Sequence, residues 1–500
     1  MGGKLAEQLG GDKADPARIG AVTAAWSGED PIKAAQEAFN WLQSISGTGE
    51  FTLARRYELI GRIDEPLKPH GERLLEQYLA LKPQSKFQEG LLWKAATDYW
   101  KALGDAYGVC VAQAVAAPLA AVEFRGTLPA LISRAMRAQM LQIKWILMRY
   151  GYVGDNHWRE MAGLYKHAHG GGFLDEEVEI YGGAGDRSTV RREFLRALML
   201  GVSSTGGLSP VKQDIADRAI AHFSAHFVSG GQAAEGCNFV FDLNGRHSPA
   251  RALGVPPEGA QLFYFGAGGA LDGAQAIIDA IGNTGALTPD INLGPGENID
   301  QMADTLTHLA FNWEKELPLR DSERRKVAST LQVTQGFGGV LAMGNRVVQE
   351  TWTVDNVSEE GYGVIVPARR GEWLQVGVLI GLLPEGESAT WGAGVVRRVE
   401  SDEHGQRRAG IQVLSRAVVP ATVTQSAVGA GDAVRKAIFL DAAPSQSGYW
   451  LALLAPGSLN LNDTLEATRI SDGKTFSLMP SGLVESGPDF DRVRFKTAID

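Results

Sequence analysis

Cysteine is nearly absent from this 500-residue chain: Cys110 and Cys237 are the two present, far apart and in unlike surroundings. That argues against a disulfide framework or a cysteine-built metal site and fits a reducing compartment. Cys110 falls in an apolar helical run and reads as core. Long hydrophobic runs are lacking too. No uncharged stretch of about 18 residues suits a membrane span, and the opening Met-Gly-Gly-Lys-Leu-Ala lacks the apolar run of a signal peptide. A cytoplasmic protein is therefore expected, and Gly2 makes no case for lipidation. Basic residues are in deficit, 48 Lys and Arg against 58 Asp and Glu, for a net charge of −10. Bulk electrostatics thus disfavour nucleic acid or an anionic membrane as partners.

Chemistry-bearing patterns are equally sparse. No Ser-His-Asp order, paired-carboxylate pattern or fixed-period repeat is visible, so no enzyme is expected. His222 and His226 lie four apart, but Phe-Ser-Ala between them lacks the metalloprotease glutamate and no third ligand is marked; no metal is expected. His167 and His169 precede Gly170-Gly-Gly172, which reads as a helix-ending glycine loop. Phe265-Gly-Ala-Gly-Gly-Ala-Leu-Asp-Gly273 joins a strand to a helix, yet its spacing departs from G-x-G-x-x-G and no β-α-β unit closes around it. An enzyme acting through that loop is a minor alternative. Gly429-Ala-Gly-Asp432 resembles the signature of ribokinase-type sugar kinases but stands between two β modules, without the large α/β fold that signature needs.

With 44% hydrophobic and 21% charged residues, the chain reads as an ordinary globular protein of about three domains by length. The expected class is α+β multidomain: a mostly helical region over 1–230, a mixed α/β segment over 231–315, a small antiparallel β-barrel over 316–420, and a second β module over 421–500. Helical spacing begins at Pro31, with Pro66, Pro69 and Pro83 punctuating further helices. The longest helices are expected at 88–117 and 127–150, with Arg134, Arg137, Lys144 and Arg149 as a solvated face. Trp93, Trp100, Trp145 and Trp158 are expected in the core. Residues 189–200 and 209–227 read as helices, 238–243 and 261–265 as strands, 273–281 as a short helix, 282–297 as a linker and 298–313 as a helix.

After residue 360, strands are expected at 363–366, 373–383, 390–399 and 408–414. Residues 421–431 read as a flexible stretch, followed by strands at 436–440, 449–454, 464–470, 475–479 and 493–497.

Two short motifs carry the functional reading. Arg320-Asp-Ser-Glu-Arg324 is followed at once by Arg325 and Lys326, and Asn356-Val-Ser358-Glu-Glu-Gly361 begins 32 positions after Arg324. Guanidinium planes stack on bases and bond phosphate oxygens through a fixed fork of donors. A carboxamide, a hydroxyl and a glycine on a tight turn can meet a base edge. Together, R-x-x-x-R and [D/N]-x-S-x-x-G resemble the signature of the PilZ domain, a bacterial cyclic di-GMP receptor, over about residues 318–420. The resemblance implies that Arg320 and Arg324 clamp phosphate and stack on guanine, with Arg325 also among the ligand-binding residues. It implies also that Asn356 and Ser358 meet a guanine edge and that Gly361 admits the backbone. It implies a signalling receptor without a cofactor, whose ligand orders the stretch from Trp313 to Lys326 and repositions the helical region, with an unknown protein partner there. The output it implies lies in motility, type IV pili or exopolysaccharide; the alternative is a ligand-silent adaptor or scaffold in such an assembly.

Overall fold

A computed structural model describes residues 16–82, 85–117, 122–181, 186–245, 247–253, 259–287, 291, 293, 298–315, 324–342, 348–367, 373–386, 390–427, 430–445, 448–459 and 464–497. The chain divides into two compact units, the first running to residue 317 except for Tyr150–Tyr152 and Gly206–Ser209, which group with the second. The class is α+β multidomain: a helical N-terminal region followed by two small closed antiparallel barrels. Among the described residues no helix is long and apolar enough to cross a membrane.

The first unit opens with α1 (Pro16–Ala25), α2 (Pro31–Gly47), α3 (Leu53–Leu79), α4 (Lys86–Ala116), α5 (Leu128–Met148) and α6 (Asp155–Gly171). Asp30 caps α2, its carboxylate accepting the Ile32 amide at 2.7 Å, with Pro31 in the first turn. The left-handed Gly172 ends α6, as the glycine loop there suggested. Trp100, Trp145 and Trp158 are buried, and Trp93 is half-buried with its indole N–H on the Trp145 carbonyl. Cys110 is buried and its thiol is pushed up to about 12 by that burial.

Two expectations fail here. Pro66 and Pro69 do not break the chain but lie inside α3. An interior proline costs roughly 3 kcal/mol. The helix also buries Leu59, Ile60, Ile63, Leu67 and Leu74, each worth about 1.5–3 kcal/mol, so packing overrides the local penalty. Nor do the cations of α5 form a solvated face. Lys144 is buried, its ammonium 2.5 Å from Asp214 and 2.7 Å from Asp217. Arg137 grips both oxygens of the buried Glu193, at 2.6 and 2.8 Å, and reaches Asp186. Arg134 meets Glu65 at 3.0 Å, and Arg149 lies over Trp93 and near Glu89. These cations answer acids on other segments of the chain, which periodicity on one helix cannot reveal.

The unit continues through the short pair β1 (Val178–Glu179) and β2 (Arg187–Ser188), then α7 (Val190–Val202) and α8 (Pro210–His222). A four-stranded sheet follows, from β3 (Val228–Gly230), β4 (Phe239–Asp242), β5 (Ala250–Arg251) and β6 (Leu262–Gly266), in the order β3-β6-β4-β5. The unit closes with α9 (Ala270–Thr284) and α10 (Ile299–Trp313), the latter capped by the Asn298 carboxamide. Helix α9 is longer than expected and takes the first three residues assigned to the linker.

In the second unit, β7 (Arg325–Gln335), β8 (Gln349–Val357), β9 (Gly361–Ile365), β10 (Leu379–Pro384), β11 (Gly392–Ser401) and β12 (Arg407–Ser415) close in the order β10-β11-β12-β9-β8-β7. A short helix, α11 (Gly336–Ala342), stands between β7 and β8. The apolar run from Trp373 to Val378 is not strand. It plugs the barrel instead: Leu374 and Val378 join Leu331, Val333, Trp352, Ile380 and Ile411 in the core. Trp373 stacks on Trp352, and both indole N–H groups donate to Glu350, at 3.1 and 2.9 Å.

The second barrel has β13 (Val419–Ala427), β14 (Ala430–Phe439), β15 (Tyr449–Leu454), β16 (Leu465–Arg469), β17 (Thr475–Ser486) and β18 (Asp491–Thr497). They close in the order β13-β14-β15-β18-β17-β16. The stretch read as flexible, 421–431, is therefore hairpin strand, apart from residues 428 and 429, which lie outside the described residues. Closure satisfies every sheet edge, so small residues without β propensity are held by the ladder. The barrels share a buried apolar seam of Leu379, Trp391 and Val395 with Ile438, Leu453 and Phe490.

Candidate functional site

A cavity of about 520 Å³ lies on the first barrel, floored by β8, β9, β11 and β12. Its lining includes Arg324, Asn356, Ser358 and Gly361 from the two motifs. Arg324 immediately precedes β7, and its Nη1 donates to Asn356 Oδ1 at 3.2 Å across the 32-residue gap. Arg325 begins β7, pairs with Val357 and is not among the lining residues. Arg320 lies outside the described residues, as does most of the stretch expected to be ordered by ligand.

Local geometry explains how Asn356 and Ser358 reach the cavity. The β8–β9 register slips between Val354 and Asn356, so Asp355 is an extra residue, and such a bulge re-aims the side chains beside it. The strands then turn tightly, the Ser358 amide donating to the Gly361 carbonyl at 2.9 Å. Gly361 has a structural cause of its own: a Cβ there would stand 1.9 Å from the Ile411 carbonyl oxygen on β12. Gly363, paired with Asn356, is bare for another reason, since its Cβ would meet both carboxamide head atoms of Asn356 at 2.6 Å.

The motifs do not name the rest of the wall. Arg397, Arg398 and Arg408, with Gln412, bring three further guanidiniums to the cavity, and Asp355, Glu360 and Glu400 bring carboxylates. Arg398 Nε lies 2.7 Å from Glu400, and Arg408 comes within 4.0 Å of Asp355. The side chains of both pairs are about half exposed, so each pair is worth only about 0–1 kcal/mol. A phosphate offering charge-assisted hydrogen bonds of roughly 1.5–3 kcal/mol can therefore compete for these guanidiniums. The wall is suited to an anion with flat polar edges. What signalled it in the sequence is the Arg397-Arg398 doublet directly after Val395-Val396; Arg408 and Gln412 carry no local signal.

Other candidates find packing explanations. In the glycine loop, a Cβ on Gly266 would strike the Gly236 carbonyl at 1.9 Å, and one on Gly268 would strike the His226 carbonyl at 2.6 Å. Those glycines serve close backbone approach. Among the described residues, no cluster of three or more His, Cys, Asp or Glu could hold a metal.

Comparison with known proteins bears on the helical region. Residues 17–230 match the family described as cyclic-di-GMP receptor FimW, N-terminal domain. The helical part of this chain is thus similar to the N-terminal domain of a family of cyclic di-GMP receptors, and the match lies outside the residues that carry the PilZ-like motifs. No curated protein matches the chain.

Proposed function

We propose that this protein is a cyclic di-GMP receptor without enzymatic activity, its ligand held in the arginine-lined cavity of the first barrel. The observation that carries the reading is the meeting of Arg324 with Asn356 at that cavity, beside Ser358 and Gly361. The similarity of residues 17–230 to a receptor N-terminal domain supports it independently. In this reading Arg324 clamps a phosphate and Asn356 and Ser358 meet a guanine edge. Arg320 supplies the second guanidinium of the motif, and Arg325 adds positive charge without entering the cavity. Occupancy repositions the helical region and acts through it on a protein partner in the cytoplasm. The output in motility, type IV pili or exopolysaccharide follows from the PilZ resemblance alone.

One observation favours a ligand-silent adaptor instead: Asp355, Glu360 and Glu400 share the cavity with its arginines. Titrating the full chain with cyclic di-GMP separates the two. Saturable binding, weakened more than about tenfold by Arg324→Ala, is expected from the loss of a charge-assisted hydrogen bond. Absence of binding to the wild type would leave the adaptor.

A further inference from the structure

Arg397 belongs to two structures at once. It lines the first-barrel cavity, and it grips Glu485 of the second barrel with both terminal nitrogens, Nη2 standing 3.0 Å from Oε2. Its Nε donates to Gln412, another cavity residue, at 2.8 Å. The strands are built irregularly at this contact on both sides. The β11–β12 register slips between Val396 and Arg398, making Arg397 the extra residue of a bulge. The β17–β18 register slips between Leu483 and Glu485. Bulges re-aim side chains at functional sites, and here one on each barrel brings the two partners together.

We propose that Arg397 is a further ligand-binding residue of the cavity and its link to the second barrel, with the ligand's phosphate and the Glu485 carboxylate competing for one guanidinium. The proposal rests on the same cavity taking the cyclic dinucleotide. The Nη1/Nη2 edge that faces Glu485 serves one carboxylate or phosphate at a time, and Nε is held by Gln412, so a phosphate that takes that edge displaces Glu485. The exchange is cheap for two reasons. The Arg397 side chain is 39% exposed, so its pair with Glu485 is partly solvated. Glu485 also keeps Arg492, at 3.1 Å, when Arg397 turns away. Coupling of this kind is reciprocal: a ligand that draws Arg397 off loosens the rim between the barrels, and the Glu485 clasp weakens the ligand to the same degree.

The test is cyclic di-GMP titration of the full chain, wild type and variants, at fixed salt, with melting temperatures alongside. Arg397→Ala should weaken binding by about tenfold, as loss of a charge-assisted hydrogen bond requires. Glu485→Gln keeps shape and removes the competing charge, and should tighten binding by roughly 3–10-fold, within the usual range of coupling between sites. The double variant should bind no more tightly than Arg397→Ala. Hydrogen exchange on the wild type needs no substitution: saturating ligand should speed exchange across residues 483–486. Unchanged affinity in Arg397→Ala, no gain in Glu485→Gln, or unchanged exchange at 483–486 would each overturn the proposal. If the wild type binds and Arg324→Ala weakens it while these effects are missing, this inference fails alone. If the wild type does not bind, the receptor reading fails and carries this one with it.

Discussion

Replacing Gly363 by alanine should impair the site and spare the fold. The new Cβ would lie 2.6 Å from both Oδ1 and Nδ2 of Asn356, closer than any real Cβ contact. What it meets is the end of a side chain, so the carboxamide rotates away and the backbone stays. That rotation breaks the Arg324 Nη1 bond to Asn356 Oδ1 (3.2 Å) and the Asn356 Nδ2 bond to Asp355 (2.8 Å). It also withdraws the group proposed to meet a guanine edge. Each hydrogen bond is worth about 0.5–1.5 kcal/mol net, so a loss near 1.4 kcal/mol, about tenfold in affinity, is expected. Stability should fall by no more than about 1–2 kcal/mol, because alanine's smaller loss of chain entropy, about 0.4–1 kcal/mol, offsets part of the two lost hydrogen bonds.

Gly361→Ala is the matched contrast. There the Cβ would meet a backbone oxygen at 1.9 Å, and the Ile411 carbonyl can retreat only by opening the β9–β12 pairing. Overpacking of that kind costs about 1–3 kcal/mol, read as a lower melting temperature. Calorimetric titration with cyclic di-GMP and a thermal melt on each variant decide the matter. Wild-type affinity in Gly363→Ala would refute the placement of Asn356 at the ligand, and an unchanged melting temperature in Gly361→Ala would refute the steric account.

Further outcomes follow from the charges. Lys144→Ala leaves Asp214 and Asp217 buried with only Arg218 and Arg196 beside them, and should cost about 3–5 kcal/mol in urea unfolding. Burial opposes ionisation of Glu193, yet Arg137 and Arg196 outweigh it and hold the carboxyl at about 2, below the ordinary 4.5. Its stabilisation is therefore full above 4.5 and lost as pH falls towards 2, and Glu193→Gln should flatten that part of the stability profile. Asp64 works in the opposite sense: burial among Tyr99, Tyr107 and Tyr181 raises its pKa, so its contribution is full at low pH and fades as pH rises. Stability of Asp64→Asn should depend less on pH on the acid side of neutrality. Cyclic di-GMP affinity should fall as salt is added, since the arginine contacts are exposed and screened; a salt-independent affinity would argue for stacking alone.

What the chain's order of residues determines by itself is local. The helical spacing that begins at Pro31, the helix ending at Trp313, the glycine stop at Gly172 and the strand at Tyr449–Leu454 all follow from nearest-neighbour preferences, and the structure has them. The two motifs are likewise legible as motifs, because arginine, carboxamide, hydroxyl and glycine each have a distinct chemistry. Contacts that join distant segments had to come from tertiary structure. Lys144 reads as solvated until α8 brings Asp214 and Asp217 to it, and residues 373–378 read as strand until barrel closure makes them a plug. Prolines in α3 read as breaks until packing outweighs a missing donor. The cavity depends on tertiary structure most of all. Arg398 and Arg408 stand ten positions apart in the chain and share a wall only because β11 and β12 pair, with a bulge at Arg397 beside them. Barrel closure is a sum of many weak long-range pairings, and no window of sequence contains it.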